Sequence, residues 1–378
     1  MDYESLKLIW WLLVGVLLIG FAIMDGHDMG VGTLLPFVGK NDLERRVIIH
    51  TIAPHWEGNQ IWFVTAGGAI FAAWPLVYAT AFSGFYWAMM AALWALFFRP
   101  VGFTYRSKIH HPTWRNAWDW GLFVGGAVPP IIFGVAFGNL LLGVPFQFDD
   151  TLRSTYTGTF WGLLNPFSLL AGAMSLSMIA FQGAHYLMLR TEGDIYRRVR
   201  TASLIFGLST LMTFALAGGW IMHGIDGYTI TSHINPNALP DPLDKTVVRE
   251  MGAWINNYAS YAWAKWVPIT TFIAIALGIV FARMRQAALA FLASSITCAG
   301  IIATAGVSMF PFILPSSSDP RSSLTVWDSV SSEMTLGVML GATLFLLPPI
   351  ILYTAWAYKV MWGKVSTEYI QANDKSVY

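Results

Sequence analysis

Two short polar segments interrupt the apolar N-terminal part of the chain, and their side chains are of the kinds that bind and release protons. The first, AIMDGHDMGVG, contains Asp25, His27 and Asp28. The second, IAPHWEGNQIW, contains His55, Glu57, Asn59 and Gln60, of which the two amides can hydrogen-bond a carboxyl group or a bridging water. Burial in a membrane tends to raise the pKa of a carboxyl group toward neutrality, and such groups often belong to proton relays. The two segments therefore predict a proton pathway with Asp25 and Glu57 as its main acids.

The composition is that of an all-α membrane protein. Hydrophobic residues make up 56% of the chain and charged residues only 11%, whereas soluble domains contain about 25% charged residues. The net charge of +1 indicates no nucleic-acid partner. The one cysteine, Cys298, excludes an internal disulfide and a cysteine-based metal cluster. The first apolar run lacks the flanks of a signal peptide, so we interpret it as a transmembrane helix.

Nine apolar runs are close to the length that a helix needs to cross about 30 Å of hydrocarbon. They fall at 8–36, 50–74, 77–98, 118–142, 160–188, 202–223, 257–282, 287–311 and 336–358. A tight turn at Trp74-Pro75 is expected to separate the second run from the third. We therefore predict a polytopic protein of about nine transmembrane helices, with residues 1–378 in a single domain. A pseudo-repeat of two four-helix bundles plus one helix remains open.

The basic residues are distributed unequally between the two sides of this nine-helix arrangement. Sixteen of the 22 lysines and arginines follow the first, third, fifth and seventh spans or lie in the C-terminal segment, which includes Lys375. The other six are Lys7, Arg153, Lys245, Arg249, Lys265 and Arg321. Because cytoplasmic loops are enriched in Lys and Arg, the bias predicts an N-terminus outside and a C-terminus in the cytoplasm. The longer loops, 143–159, 224–256 and 312–335, are then outside.

This orientation predicts the depth of the three acids. Asp25 and Asp28 are expected in the cytoplasmic part of the first helix. Glu57 is expected somewhat deeper, on the second helix as it returns outward. The three carboxyl groups could then form one series that leads protons inward from the cytoplasm.

Several of these residues also have a purely structural interpretation. Asp28 could cap a helix break among the neighbouring glycines, or pair with Arg45 or Arg46 near the interface. His55 could be an ordinary hydrogen-bonded histidine of the bundle. Arg99, at the inner end of the third span, could set the topology, or meet a lipid phosphate or a carboxylate from the first span.

Heme ligation by this chain is a further alternative. A bis-histidine site needs two histidines that face each other at matched depth. His55 is expected in the inner half, His185 near the inner end of its span, and His223 near the outer end of its span. No pair stands out, although a single-histidine or His-Met heme remains open.

Seven longer stretches occur together, in order along the chain. They are WWLLVGVLLIGFAIMDGHDMGVG, APHWEGNQIW, AGGAIFAAWPLVYATAFSGFY, FFRPVGFTYRSK, GVAFGNLLLGVP, GIDGY and FPFILPSSSDPRSSLTVWDSVSS. In these stretches the chain resembles subunit II of the cytochrome bd-type quinol oxidases of bacterial respiration. The resemblance extends to the terminal KSVY and covers essentially the whole chain.

The resemblance implies a multi-pass subunit of the bacterial inner membrane that forms a heterodimer with a larger subunit I. That partner would carry two hemes b and one heme d and would oxidise quinol, so no cofactor is expected in this chain alone. The complex would reduce oxygen to water and build a proton motive force without pumping. A small single-helix accessory subunit, a structural quinone in this subunit and membrane lipids are further expected partners.

The resemblance also implies roles for individual residues. Asp25 and Glu57 match acidic positions of the cytoplasmic proton path in this family. Trp62 matches a tryptophan beside an apolar oxygen route between the two subunits. Apart from the resemblance, Arg99, Asn59 and Gln60 are expected to be structural or interfacial residues of this region.

The sequence departs from the family pattern at three positions of this path. Relatives carry Asp at the position of Glu57 and often Phe at the position of His27. They also carry an acid at the position of Thr104, in the loop where protons would enter. We include Asp28, His27 and Lys108 as further candidates for the path.

A secondary transporter is the alternative from a different functional class. Asp25 and Glu57 would then couple an ion or a substrate to transport. This alternative predicts broken helices and inverted repeats.

Overall fold

The computed structural model describes residues 1–373 and consists mainly of helices. They are α1 (Tyr3–Val38), α2 (Asp42–His50), α3 (Trp56–Ala73), α4 (Pro75–Gly84), α5 (Tyr86–Tyr105), α6 (Pro112–Leu142), α7 (Pro166–Arg190), α8 (Gly193–Gly224), α9 (Asn256–Ser260), α10 (Trp266–Arg283), α11 (Ala287–Met309), α12 (Glu333–Val360) and α13 (Thr367–Ala372). Lys375 and the terminal KSVY of the resemblance lie outside the described residues.

The prediction of about nine membrane-spanning helices is confirmed. Within residues 1–373, eight helices are long and apolar enough to cross a membrane, and the pair α3 and α4 adds a ninth. These two helices bend by 120° at the expected turn. Pro75 occupies the first turn of α4, where its missing N–H leaves no hydrogen bond unmade. The third apolar run, 77–98, differs from its prediction because α4 ends at Gly84 and a separate helix, α5, begins at Tyr86.

Glycines allow α1 to pack very closely against its neighbours. A Cβ atom added at Gly30 of α1 would lie 2.1 Å from the carbonyl oxygen of Ile179 in α7. A Cβ atom added at Gly126 of α6 would lie 2.5 Å from the carbonyl oxygen of Met29. Small residues at helix crossings are typical of membrane bundles, because they let the backbones touch. The polar segment of α1 is therefore held between α6 and α7 at the centre of the molecule.

The three long loops contain short antiparallel strand pairs. The strands are β1 (Phe146–Phe148), β2 (Ser154–Tyr156), β3 (Asp226–Ile230), β4 (Val247–Met251), β5 (Phe312–Leu314) and β6 (Leu324–Thr325), paired as β1–β2, β3–β4 and β5–β6. Two of the loops close over the start of α1. Lys7, which is fully buried, donates hydrogen bonds to the backbone carbonyls of Pro236, Ala238 and Trp327.

Apolar side chains remain exposed on two of the helices that flank α1. On α12, only Leu336 is buried, and Phe345 is 78% exposed. On α3, one side of the helix exposes Glu57, Gly58, Ile61, Val64, Thr65 and Gly68. We call this set the open α3 face.

Candidate functional site

The two polar segments meet in a buried cluster between α1, α3 and α5. Helix α1 contributes Asp25 and Asp28, which lie three residues apart and so share one side of the helix. Helix α3 contributes Asn59, the turn before α3 contributes His55, and α5 contributes Arg99. All five side chains are buried. The glycine-mediated packing of α1 keeps lipid and solvent away from these groups.

Asp25 forms a two-point ion pair with Arg99. The Nη1 atom of Arg99 donates to Oδ2 of Asp25 at 2.9 Å, and its Nη2 atom donates to Oδ1. The guanidinium group also lies over the ring of Trp56, 5.5 Å from the ring centre. This two-point geometry balances the charge of Asp25. Of the alternatives for Arg99, the structure therefore contains the contact with a first-span carboxylate.

Asp28 is less completely paired than Asp25. Its Oδ2 atom accepts a hydrogen bond from Nδ2 of Asn59 at 2.8 Å, and Nη2 of Arg99 is 3.9 Å away. Its Oδ1 atom is buried and has no hydrogen-bond partner among residues 1–373. A buried carboxylate with one free oxygen is a group that can accept a proton or another cation without losing an existing bond.

The structure contradicts two structural interpretations of Asp28, as a helix cap and as a partner of Arg45. Helix α1 runs without a break from Tyr3 to Val38, so Asp28 does not cap a helix end. Arg45 does not pair with it, because Nη1 of Arg45 binds Oδ2 of Asp119 at 2.8 Å. The glycines near Asp28 serve close helix packing instead.

His27 presents a nitrogen lone pair to Asp28. Its Nδ1 atom lies 2.9 Å from the carbonyl oxygen of Ile23. Because a carbonyl oxygen can only accept, Nδ1 carries the hydrogen and Nε2 of the neutral ring is bare. This Nε2 atom is buried without a hydrogen-bond partner and lies 3.3 Å from Oδ1 of Asp28. The ring stacks on Tyr186, with the ring centres 4.1 Å apart.

His55 is oriented by bonds on both of its nitrogens. Its Nε2 atom is 3.1 Å from the carbonyl oxygen of Thr51 and 2.8 Å from the hydroxyl of Tyr186. Tyr186 donates its own proton to that carbonyl, so Nε2 of His55 carries a hydrogen. The Nδ1 atom then accepts from Nδ2 of Asn59 at 3.0 Å. It lies 3.8 Å from Oδ1 of Asp28.

The other predicted site residues are not part of this cluster. Glu57 points to the open α3 face, so the expected single series of three acids is not present inside the described part of the chain. Gln60 is half-buried, and Lys108 is exposed in the connection between α5 and α6. Trp62 is half-buried against α1, where a Cβ atom added at Gly20 would lie 2.3 Å from its ring.

Two tyrosines belong to the site although no sequence pattern indicated them. Tyr186 of α7 connects His27 and His55, as described above. Tyr358 of α12 donates a hydrogen bond to Oδ1 of Asn59 at 2.7 Å. Both lie in long apolar helices, where their spacing does not distinguish them from core residues. Only the packing of α7 and α12 near α3 reveals their contacts.

The histidines considered for heme binding lie in different surroundings. His185 has Nε2 2.7 Å from Oγ of Ser203. His223 is exposed in the last turn of α8. Neither forms a hydrogen bond or ring contact with His55 within residues 1–373. A bis-histidine site built from these three residues is therefore not supported by the described contacts.

Known proteins resemble the chain over its full length. Residues 6–361 match the family model described as cytochrome bd terminal oxidase subunit II. The chain is 56% identical over 379 residues to "Cytochrome bd-I ubiquinol oxidase subunit 2" of Escherichia coli, with 100% of both chains covered. It is 34% identical over 367 residues to "Cytochrome bd ubiquinol oxidase subunit 2" of Bacillus subtilis, covering 96% of this chain and 97% of that protein.

A solved structure shares the fold. A chain in the structure of bd oxidase from Geobacillus thermodenitrificans aligns with a TM-score of 0.66 at 17% sequence identity. The alignment covers 93% of this chain and 98% of that chain. At this level of identity the match supports the helical arrangement alone.

Proposed function

The chain belongs to the cytochrome bd terminal oxidase subunit II family, and from this premise we propose that it is the heme-free subunit of a quinol:oxygen oxidoreductase. Its partner, subunit I, holds two hemes b and one heme d and takes electrons from quinol. The complex reduces oxygen to water in the bacterial inner membrane and builds a proton motive force without pumping. The names of the relatives, which are ubiquinol oxidase subunits, support this assignment.

The open α3 face is the observation that carries the proposal of a membrane-embedded partner. It combines an exposed carboxylate, Glu57, with exposed apolar and glycine positions on one membrane-spanning helix. A charged side chain is costly against lipid, so this side of α3 is suited to contact with protein. An added Cβ atom at Gly58 or Gly68 would meet nothing within 4 Å, which leaves room for a close helix contact. Subunit I is the proposed occupant.

Protons are proposed to enter from the cytoplasmic side and to pass through the buried cluster. Asp28, with one unpartnered oxygen beside His27, is suited to receive a proton, while Arg99 holds Asp25 in place next to it. Glu57 would then pass the proton from the open α3 face toward the partner. Lys108, exposed just after the end of α5, would lie at the entrance.

Oxygen is proposed to reach the partner by an apolar route beside Trp62. The half-buried ring packs against Gly20, at the edge of the surface proposed to meet subunit I. The apolar neighbours Ile61 and Val64 are exposed on the same part of α3.

A small accessory helix, bound lipid and a structural quinone would complete the complex.

A secondary transporter has less support as an alternative function. The bend between α3 and α4 is a broken helix of the kind that the alternative predicts. However, Asn59 is near the start of α3 and Ala73 is at its end, about 20 Å away at the rise of an α-helix. The backbone groups freed at the break are therefore too far away to contact the buried cluster.

Purification of the tagged chain from bacterial membranes tests the proposed assembly. We expect a second, larger subunit to copurify and to give b-type and d-type heme bands. Gly68→Trp should reduce the recovered heme several-fold, because it places a large ring on the open α3 face. Gly219→Trp is the matched control. A Cβ atom at Gly219 also meets nothing within 4 Å, but this glycine belongs to α8 and not to the open α3 face. A chain that purifies alone and without heme would contradict the assignment.

A further inference from the structure

We propose that His27, Asp28 and His55 form a binding site for one divalent transition-metal ion of the zinc class. Three potential ligand atoms, one from each residue, lie within 4.8 Å of one another, and all three residues are buried. Nothing in the oxidase assignment requires a metal here.

The separations of the ligand atoms are close to those that a zinc ion needs. Zinc bonds of about 2.0–2.1 Å in tetrahedral geometry place neighbouring ligand atoms roughly 3.3 Å apart. Nε2 of His27 is 3.3 Å from Oδ1 of Asp28. Nδ1 of His55 is 3.8 Å from the same oxygen. A movement of the His55 ring on the order of 1 Å would complete a three-ligand site with one position open.

In both histidines, the ring nitrogen that faces away from Asp28 forms the kind of hydrogen bond that is typical of histidine metal ligands. In metal sites, the second ring nitrogen usually donates to a backbone carbonyl or another acceptor, which fixes the tautomer and the orientation. His27 donates to Ile23 in this way, and His55 donates to Thr51 and Tyr186. The lone pair of Nε2 of His27 consequently faces Asp28. The lone pair of Nδ1 of His55 lies 3.8 Å from the same carboxylate and accepts from Asn59 in the absence of metal.

The charges around the three residues favour a cation. Arg99 and Asp25 compensate each other. Within the described part of the chain, the charge of Asp28 is therefore balanced only by the same guanidinium group, which is 3.9 Å away. A single proton could bond only one of the two imidazole lone pairs that face Asp28. A metal ion would bind both, and it would also satisfy the two buried atoms that lack a partner, Nε2 of His27 and Oδ1 of Asp28.

The donor set selects the class of ion. Two imidazoles and one carboxylate are typical of zinc and similar transition metals, whereas calcium and magnesium prefer oxygen ligands. Binding would require Asn59 to release Nδ1 of His55 while keeping its 2.8 Å hydrogen bond to Oδ2 of Asp28. The ion could enter beside Pro54, which is exposed next to His55 in the turn before α3.

Zinc binding to the purified, chelator-treated complex tests the proposal. Equilibrium dialysis with elemental analysis should find one zinc ion that is lost in His27→Phe. Asp28→Asn, which keeps the shape of the side chain, should weaken the same site. Because a lost outer-sphere bond costs about 10–100-fold in metal affinity, loss of a direct ligand should cost more than about 100-fold. Zinc absorption-edge spectra should show two imidazole ligands.

Two controls keep the result interpretable. His223→Phe removes an exposed histidine elsewhere and should leave zinc binding unchanged. Heme content and thermal stability of each variant show whether the complex has assembled. Equal zinc affinity in the wild type, His27→Phe and Asp28→Asn, or a spectrum without imidazole, would overturn the proposal.

One consequence of zinc binding rests on the proposed function. An occupied site would block proton transfer at Asp28, so zinc should inhibit oxygen reduction in the wild type and not in His27→Phe. The binding measurement does not depend on turnover. If zinc binds as expected and turnover stays unchanged, the metal site stands and the proton role of Asp28 fails.

Discussion

At the residue scale, the two buried aspartates differ in how their charge is balanced. Asp25 receives two hydrogen bonds from the guanidinium group of Arg99. Asp28 receives one hydrogen bond from Asn59, and its other oxygen faces the bare nitrogen of His27. We infer that Asp25 and Arg99 form a fixed electrostatic support, and that Asp28 is the group that exchanges its cation.

Substitution of Arg99 should show how strongly the charges of Asp25 and Arg99 depend on each other for stability. Arg99→Met leaves Asp25 as an unpaired buried charge and should cost about 3–5 kcal/mol of unfolding free energy. The double variant Asp25→Leu with Arg99→Met should recover part of this loss, because the charges of Asp25 and Arg99 are both removed while Asp28 still loses its guanidinium neighbour. Thermal unfolding of the solubilised complex measures both effects.

A surface arginine provides the control for this pair. Arg197→Met removes a side chain that is 74% exposed in its ion pair with Asp194, and it should cost less than about 1 kcal/mol. If the double variant proved as unstable as Arg99→Met alone, the two charges would not be coupled as described.

At the scale of helices, close packing of α1 positions the acids. Gly30 contacts α7 through its backbone, with Gly183 of α7 directly opposite. Gly126 makes the corresponding contact from α6. The order of the helices along the chain would allow many arrangements, and the absence of side chains at these three positions favours this one.

Gly30→Ala should therefore disturb the site without altering any polar residue. Its new methyl group would overlap the carbonyl of Ile179, and overpacking of this kind costs about 1–3 kcal/mol or more. Gly15→Ala is the matched control on the same helix, because a Cβ atom there meets nothing within 4 Å. We expect a lower melting temperature and slower turnover for the first variant, and near-normal values for the second. Equal behaviour of the two would refute the role of close packing.

The sequence predicted the helices better than it predicted the site. Hydropathy alone identified about nine spans and the turn before Pro75, because each depends on local composition. The direction of Glu57 could not be predicted, since it depends on which side of α3 meets α1. The approach of His27 to His55 depends on the turn before α3, which has no periodic pattern. The strand pairs in the three long loops were missed because short strands carry little signal.

At the scale of the whole molecule, a buried polar cluster lies next to a helix, α3, whose other side is exposed. The buried cluster that contains Asp28 lies on the side of α3 that packs against α1. Glu57 lies on the open α3 face of the same helix. A proton that reaches Asp28 would therefore have to pass α3 before it could enter a partner. This arrangement divides the proposed proton path between the interior of one subunit and the contact surface of two.

Quinol-driven oxygen consumption by the purified complex tests the central claim most directly. Asp28→Asn and Glu57→Gln should each slow turnover by at least about tenfold, since a positioned proton carrier typically contributes more than this. Asp25→Asn should also slow turnover, because it weakens the ion pair that holds Arg99 beside Asp28. Heme content should stay normal, and Asp194→Asn, which alters a carboxylate that is 66% exposed, should leave the rate unchanged. Full turnover in all three variants, with normal heme content, would contradict the proposed proton path.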